Sequence, residues 1–281
     1  MEYIDKEGVT MDIVLIVLIV LIVLYFFLIA PRMFGKPDRT PLYGVYYAHR
    51  GLFDNDSDAP ENSIPAFKRA VDAGYGIELD IQLSKDGIPV VFHDASLKRM
   101  CGVDGKVWEY TLEELQQMTL AKSSATIPTF AEVLHTVNGK VPLIIEYKLD
   151  VAQTRVCELA NELLKDYSGT YCIECFHPLA LIWYRRHRPD IVRGQLCMEY
   201  WKEEKYRGKF LFLLLSYLVT NVATRPDFIA YQHSDASNLS RRLCRKLGAL
   251  SVAWTIKNQN ELDEARKHFD LFIFDSFIPK N

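Results

Sequence analysis

From residue 43 onward the chain switches repeatedly between short apolar runs and stretches of helical period. The runs at 44–49, 76–82, 89–93, 142–148, 171–176, 192–196, 227–231, 251–255 and 271–275 read as strands. Between most of them lie amphipathic segments, at 63–73, 129–137, 151–167, 179–187, 238–247 and 259–268, which read as helices. Strands alternating with helices predict a parallel sheet covered by helices.

Nine strands are one more than a closed (β/α)8 barrel holds. The turn chemistry identifies the extra one. Ser84-Lys85-Asp86-Gly87 is too short for a crossover helix, and Asp-Gly favours a hairpin. Residues 89–93 therefore return antiparallel to 78–83, leaving eight strands for a TIM barrel with a hairpin extension after its second strand.

The chain before residue 43 is different in kind. Residues 13–30 are apolar throughout, with no charge, Gly or Pro. Eighteen residues at ~1.5 Å rise give about 27 Å, so this run predicts a membrane-spanning helix. It is longer than the apolar core of a cleavable signal, and no small-x-small site follows it. Residues 1–12 form a tail, 31–42 a proline-bearing spacer, and 43–281 the barrel domain. Acidic residues dominate before the helix, while Arg32, Lys36 and Arg39 follow it. That asymmetry predicts a single-pass protein with the barrel on the cytoplasmic side.

Composition adds little. The chain of 281 residues is 49% hydrophobic with a net charge of -3, which does not suggest nucleic-acid binding. Cys172 and Cys175 lie on opposite faces of one strand, so they do not form a joint metal or redox site.

Polar groups crowd the strand ends, where barrels of this type place their chemistry. The first strand ends in His49-Arg50. The second carries Glu78 and Asp80 two residues apart, hence on one face. The hairpin return ends in His93-Asp94, the next strand carries Glu146 and Lys148, and the last two end in Trp254-Thr255 and Asp275. Taken singly, each has a structural explanation. Together, three carboxylates in one barrel mouth need cations to be buried at all. Arg50 and Lys148 supply some of that charge, and an oxygen-ligand Mg²⁺ or Ca²⁺ supplies it better. Two histidines that can exchange proton-transfer roles, two basic groups and such a metal suggest phosphoryl chemistry.

The motifs AHRG (48–51), ENS (61–63), ELDIQLSKDGIPVVFHD (78–94), IPTFAEVL (127–134), IEYK (145–148), CFHP (175–178) and AWT (253–255) resemble those of the glycerophosphodiester phosphodiesterase family, in a membrane-anchored form of bacterial type. The resemblance implies hydrolysis of glycerophosphodiesters to sn-glycerol 3-phosphate and an alcohol. It matches His49 and His93 to acid–base catalysts and Glu78, Asp80 and Glu146 to metal ligands. Arg50 and Lys148 match phosphate-contacting positions, and Phe176 and Trp254 match walls of the substrate pocket. Glu61 and Asn62 match polar residues beside the metal. Asp275 is carried over weakly, because the residue before it is Phe274 where the family often has Thr. Gly51 is expected to let the chain turn tightly past the phosphate.

A second apolar run, residues 210–219, is too short to span a bilayer. Two readings stay open: a buried or lip helix, or an element that dips into the membrane beside the active site, flanked by Lys202, Lys205, Arg207 and Lys209. The second brings lysophospholipids into question as substrates. The alternative function is thus a phospholipase D-like hydrolase or cyclising lyase acting on them at the membrane.

Overall fold

The computed structural model describes residues 6–149 and 153–280. Eight parallel strands close into a barrel: β1 (Tyr47–His49), β2 (Gly76–Leu83), β4 (Leu143–Tyr147), β5 (Tyr171–Cys175), β6 (Arg193–Cys197), β7 (Phe228–Gln232), β8 (Leu250–Ile256) and β9 (Leu271–Phe274). Closure comes from β1, which pairs with β2 on one side and β9 on the other. The ninth strand, β3 (Pro89–Val91), runs antiparallel to β2 with Ile81 opposite Val91, as the Asp-Gly turn requires.

The helices are α1 (Lys6–Ile29), α2 (Ile64–Asp72), α3 (Lys98–Cys101), α4 (Leu112–Gln116), α5 (Phe130–Val137), α6 (Arg155–Leu164), α7 (Pro178–His187), α8 (Phe210–Ser216), α9 (Asn221–Thr224), α10 (Leu239–Lys246) and α11 (Gln259–Ala265). Local chemistry sets several boundaries. The Ser63 hydroxyl caps α2 by accepting from the Ala66 amide, so a hydroxyl residue after Glu-Asn is what that position needs. Thr129 and Glu132 form a reciprocal capping box on α5. The segment expected as a helix from 151 begins at Arg155, and its first two positions lie outside the described residues.

Period-two alternation separates two cores. Ile77, Leu79 and Ile81 of β2 face the helices, while Glu78 and Asp80 between them face inward. The lumen is filled by Tyr47, Ile144, Cys172, Leu196, Phe228 and Val252 among others. Cys172 lies in the lumen cluster and Cys175 in the outer one, on opposite faces as expected. Residues 95–127 close a third small core over β3, packing Leu97, Met100 and Ile127 on Val90 and Phe92.

α1 is long and apolar enough over Met11–Ile29 to cross a membrane. The segment after it does not stand free as a spacer. Arg32 donates to the Pro189 carbonyl, Lys36 to Gly248, and Arg39 to Asp227 and Gly248, so the segment is bound along the barrel.

Candidate active site at the carboxyl end of the barrel

Strand register brings the carboxylates together. Asp80 on β2 lies opposite Glu146 on β4, and Glu78 lies opposite His49 on β1. Glu78, Asp80 and Glu146 are buried, and one oxygen of each lies within 4.8 Å of the others. Glu146 is in turn opposite Glu174 on β5, a fourth buried carboxylate whose Oε2 has no hydrogen-bond partner among the described residues. Burial pushes Glu78 well above the usual carboxylate range, and the charges of Asp80, Glu146 and Glu174 push it further. Burial also raises Glu146, against the pull of Lys148. For Asp80 burial is outweighed: Lys148, Arg50 and the Asn62 amide hold it well below the usual range.

The basic groups sit among these acids. Lys148 Nζ is 2.7 Å from Glu146 Oε1 and 2.9 Å from Asp80 Oδ1. Burial disfavours its charge, but the two carboxylates more than offset this and raise its pKa. Arg50 adopts a left-handed backbone conformation, φ 56°. That turn points its amide N–H at Glu78 Oε2, 3.2 Å away, and brings its guanidinium to Glu61 Oε1 at 2.7 Å. Asn62 donates to Asp80 Oδ2 at 2.8 Å. Gly51, φ 85°, does not face this pocket. A Cβ there would meet Ala66 and Phe67 at 3.0 Å, so the glycine is needed for close packing on α2.

Both histidines are oriented the same way. His49 Nδ1 is 2.9 Å from Asp275 Oδ2, and His93 Nδ1 is 2.6 Å from Asp94 Oδ1. A carboxylate at Nδ1 favours the tautomer with its proton there, leaving Nε2 free to accept one. Burial lowers the His49 pKa, while its bond to Asp275 opposes that. Phe176 and Trp254 meet edge to face, ring centroids 5.6 Å apart, and wall one side of a pocket of about 110 Å³ that both histidines line.

Three participants escape sequence reasoning. Arg99 of α3 forks between Glu61 (2.7 and 2.8 Å) and Asp94 (2.6 and 3.0 Å), linking the loop after β1 to the partner of His93. Only the irregular segment after β3 brings it there, and no motif marks it. Asp94 is visible as the neighbour of His93, but its hydrogen bond is not. Glu174 has a readable signal, a lone acid alternating with Cys172 on an otherwise apolar strand.

A donor set of three carboxylate oxygens suits a hard divalent cation. The ammonium of Lys148 already lies against two of them, and burial, with the charges of Asp80, Glu146 and Glu174, holds Glu78 above the usual carboxylate range, a penalty that a cation there would relieve. The residues therefore fit such an ion.

Comparison with known proteins agrees with this geometry. A model of the glycerophosphoryl diester phosphodiesterase family matches residues 49–272. The glycerophosphodiester phosphodiesterase of Bacillus altitudinis is 33% identical over 165 residues, covering 54% of this chain and 66% of that protein, just under two thirds of its length. Glycerophosphodiester phosphodiesterase 1 of Bos taurus is 32% identical over 264 residues, covering 82% of this chain and 77% of that one. The fold is shared with an Oleispira antarctica phosphodiesterase solved in complex with its product sn-glycerol-3-phosphate, at a TM-score of 0.66 and 24% identity over 84% of this chain and 94% of that one. By the family match over most of its length and the barrel it adopts, the chain belongs to the glycerophosphoryl diester phosphodiesterase family.

Proposed function

We propose that this protein hydrolyses glycerophosphodiesters to sn-glycerol 3-phosphate and an alcohol, with His49 and His93 moving the protons. The observation that carries this reading is the pair of carboxylate-oriented histidines lining one pocket with Glu78, Glu146, Arg50 and Lys148.

One histidine takes the proton of the attacking oxygen through its unprotonated Nε2. The other donates a proton to the alcohol oxygen as its bond to phosphorus breaks. Asp275 and Asp94 hold the two rings and stabilise whichever becomes charged. Arg50 and Lys148 bind the phosphoryl oxygens, Arg50 through its planar fork and Lys148 as a point charge. Phe176 and Trp254 exclude water on one side. Glu61 and Asn62 position Arg50 and Asp80. Glu78, Asp80 and Glu146 are the residues that would hold Ca²⁺ or Mg²⁺, which when bound polarises a phosphoryl oxygen and offsets the developing charge.

Replacing His49 or His93 by Ala is expected to lower kcat by about 10²–10⁴-fold. Wild-type turnover in either variant overturns the assignment. Following the reaction by ³¹P NMR separates direct attack by water from attack by the glycerol 2-hydroxyl, which leaves a transient cyclic phosphate. A cyclic phosphate that persists indicates a lyase.

A second reading takes lysophospholipids as substrates, releasing the headgroup alcohol as a phospholipase D does. It is favoured by α1, read as a single membrane span with the barrel on the cytoplasmic side, which holds the site beside lipid.

A further inference from the structure

We infer that the mouth of the barrel faces the bilayer and that α8 docks into the leaflet from which α1 emerges. The inference rests on reading α1 as a membrane span. It adds which face of the barrel meets lipid and which residues enter it.

The direction of α1 along the barrel carries the first half of the argument. Helices of a (β/α)8 barrel run antiparallel to its strands, so the first turn of α10 lies at the carboxyl-end rim, beside the site. Tyr25 bonds Ser240 in that first turn, at 2.6 Å. Four residues on, the Ile29 carbonyl accepts from Asn221 Nδ2 at 2.8 Å and lies 3.2 Å from Cys244, one turn further down α10. The Arg32 amide then donates to Pro226, and Lys36 and Arg39 reach Gly248 and Asp227, just before the amino ends of β8 and β7. The chain therefore descends the flank from the catalytic rim to the opposite face. Residues 11–24 project past the rim on the catalytic side, a length of about 21 Å at ~1.5 Å per residue.

A hydrocarbon core of about 30 Å needs nearly all of Met11–Ile29. Its near edge then falls close to Ile29, and Tyr25 lies about 6 Å inside it. The rim that Tyr25 touches is thereby seated about one helical turn into the leaflet.

The second half is what that rim presents. α8 lies in the β6–β7 connection, the sector next to α1. Its last residue, Ser216, receives hydrogen bonds from Tyr231 at the end of β7 and from Asn238, the cap of α10. The opposite side of α8 is bare: Phe210 is 70% exposed, Leu211 61% and Leu213 40%, with Trp201 beside them at 43%. Apolar side chains so exposed on one short helix indicate a surface that is covered in use. Lys205, Arg207 and Lys209 border it and suit anionic headgroups. Inward, the rings of Phe212, Tyr200, Phe176 and Trp254 follow one another at 5.4, 6.3 and 5.6 Å, an apolar path from α8 to the pocket wall. A bilayer covers α8 and meets this path with one geometry, and α1 already fixes the bilayer there.

The test uses the full chain in phosphatidylcholine–phosphatidylglycerol vesicles, in a Cys101→Ser background because the other cysteines are buried. Resistance to carbonate extraction first establishes that α1 is embedded; extraction into the soluble fraction overturns the inference at its premise. Nitroxides are then placed at Leu211→Cys and, as a control on the far face, at Lys246→Cys. The expected result is a label at 211 that collides with oxygen but is protected from an aqueous nickel chelate, with the reverse at 246. Equal access of the chelate to both positions in an embedded protein overturns the docking while leaving the span intact. Broadening between labels at 211 on separate chains means that a second copy covers α8, and also overturns it. As a functional readout, Phe210→Glu with Leu211→Glu is expected to cut turnover of lysophosphatidylcholine in the vesicles at least tenfold relative to soluble glycerophosphocholine. Equal loss on both substrates counts against docking. Inactivity of the parent protein on every diester refutes the proposed reaction but leaves the spin-label result standing.

Discussion

His49 Nδ1 lies 2.9 Å from Asp275 Oδ2, across the seam where the first and last barrel strands pair. Closure of the barrel alone makes this contact, since the residues are 226 apart in sequence. Asn at 275 keeps the shape and removes the charge that orients the ring. Asp275→Asn is expected to lower kcat roughly 10–100-fold with little change in KM, and Asp275→Glu to recover part of the loss. Steady-state kinetics on a soluble diester decide it; an unchanged kcat in Asp275→Asn sets the role aside.

Glu61 gives the fold an acid-sensitive joint. Burial raises its pKa, but the hydrogen bonds of Arg99, the charge of Arg50 and the Asn55 amide outweigh this and hold it at about 2, against an ordinary 4.5. A depressed carboxylate stabilises the folded state fully above its unfolded pKa and loses that contribution as pH falls through its folded one. The window is therefore about pH 4.5 to 2, and the contribution is on the order of 3 kcal/mol. Glu61→Gln is expected to lower stability at pH 7 by about that amount and to flatten the acid limb of a urea-unfolding series. An acid limb as steep as that of the wild type would show that other carboxylates account for it.

Removal of divalent metal provides a third test. The cluster of Glu78, Asp80 and Glu146 concentrates negative charge that an ion would neutralise. Chelation is expected to abolish turnover and lower Tm, with Ca²⁺ or Mg²⁺ restoring both, because a ligand bound only by the folded state stabilises it by mass action. In Asp80→Asn the response of Tm to either ion is expected to shrink or vanish. Full turnover after chelation, with Tm indifferent to both ions, is the result that counts against a metal.

Packing in the lumen gives the fourth. A Cβ on Gly194 of β6 would lie 2.0 Å from the ring of Phe228, which is 1% exposed. Gly194→Ala is expected to cost about 1–3 kcal/mol by overpacking, read as a lowered Tm. Phe228→Leu in the same chain should return part of it. A Tm equal to wild type in Gly194→Ala would mean that the ring can move aside freely.

Much of the site is legible along the chain because its key residues are related by local period. Glu78 with Asp80, and Glu146 with Lys148, share a face by two-residue spacing, and the hairpin carrying His93 follows from Ser-Lys-Asp-Gly. Thr129 announces its helix through Glu132, three residues on. The apolar run predicts a first strand from 44, but β1 begins at Tyr47, because Gly44 turns with φ 83° and Leu42 packs into the lumen core.

The sequence by itself determined the alternation of strands and helices, the shared face of Glu78 with Asp80 and of Glu146 with Lys148, and the apolar helix ahead of them. Each of these depends on neighbours a few residues apart, where backbone geometry fixes direction. Only the tertiary structure decided that Asp275 orients His49, that Arg99 joins Glu61 to Asp94, that Glu174 enters the acidic cluster, and that α1 leaves the barrel on its catalytic side. Those relationships reach from 28 positions, between Glu146 and Glu174, to 226, between His49 and Asp275, and their distances are set by barrel closure and by the packing of irregular connections, which leave no periodic trace in the chain.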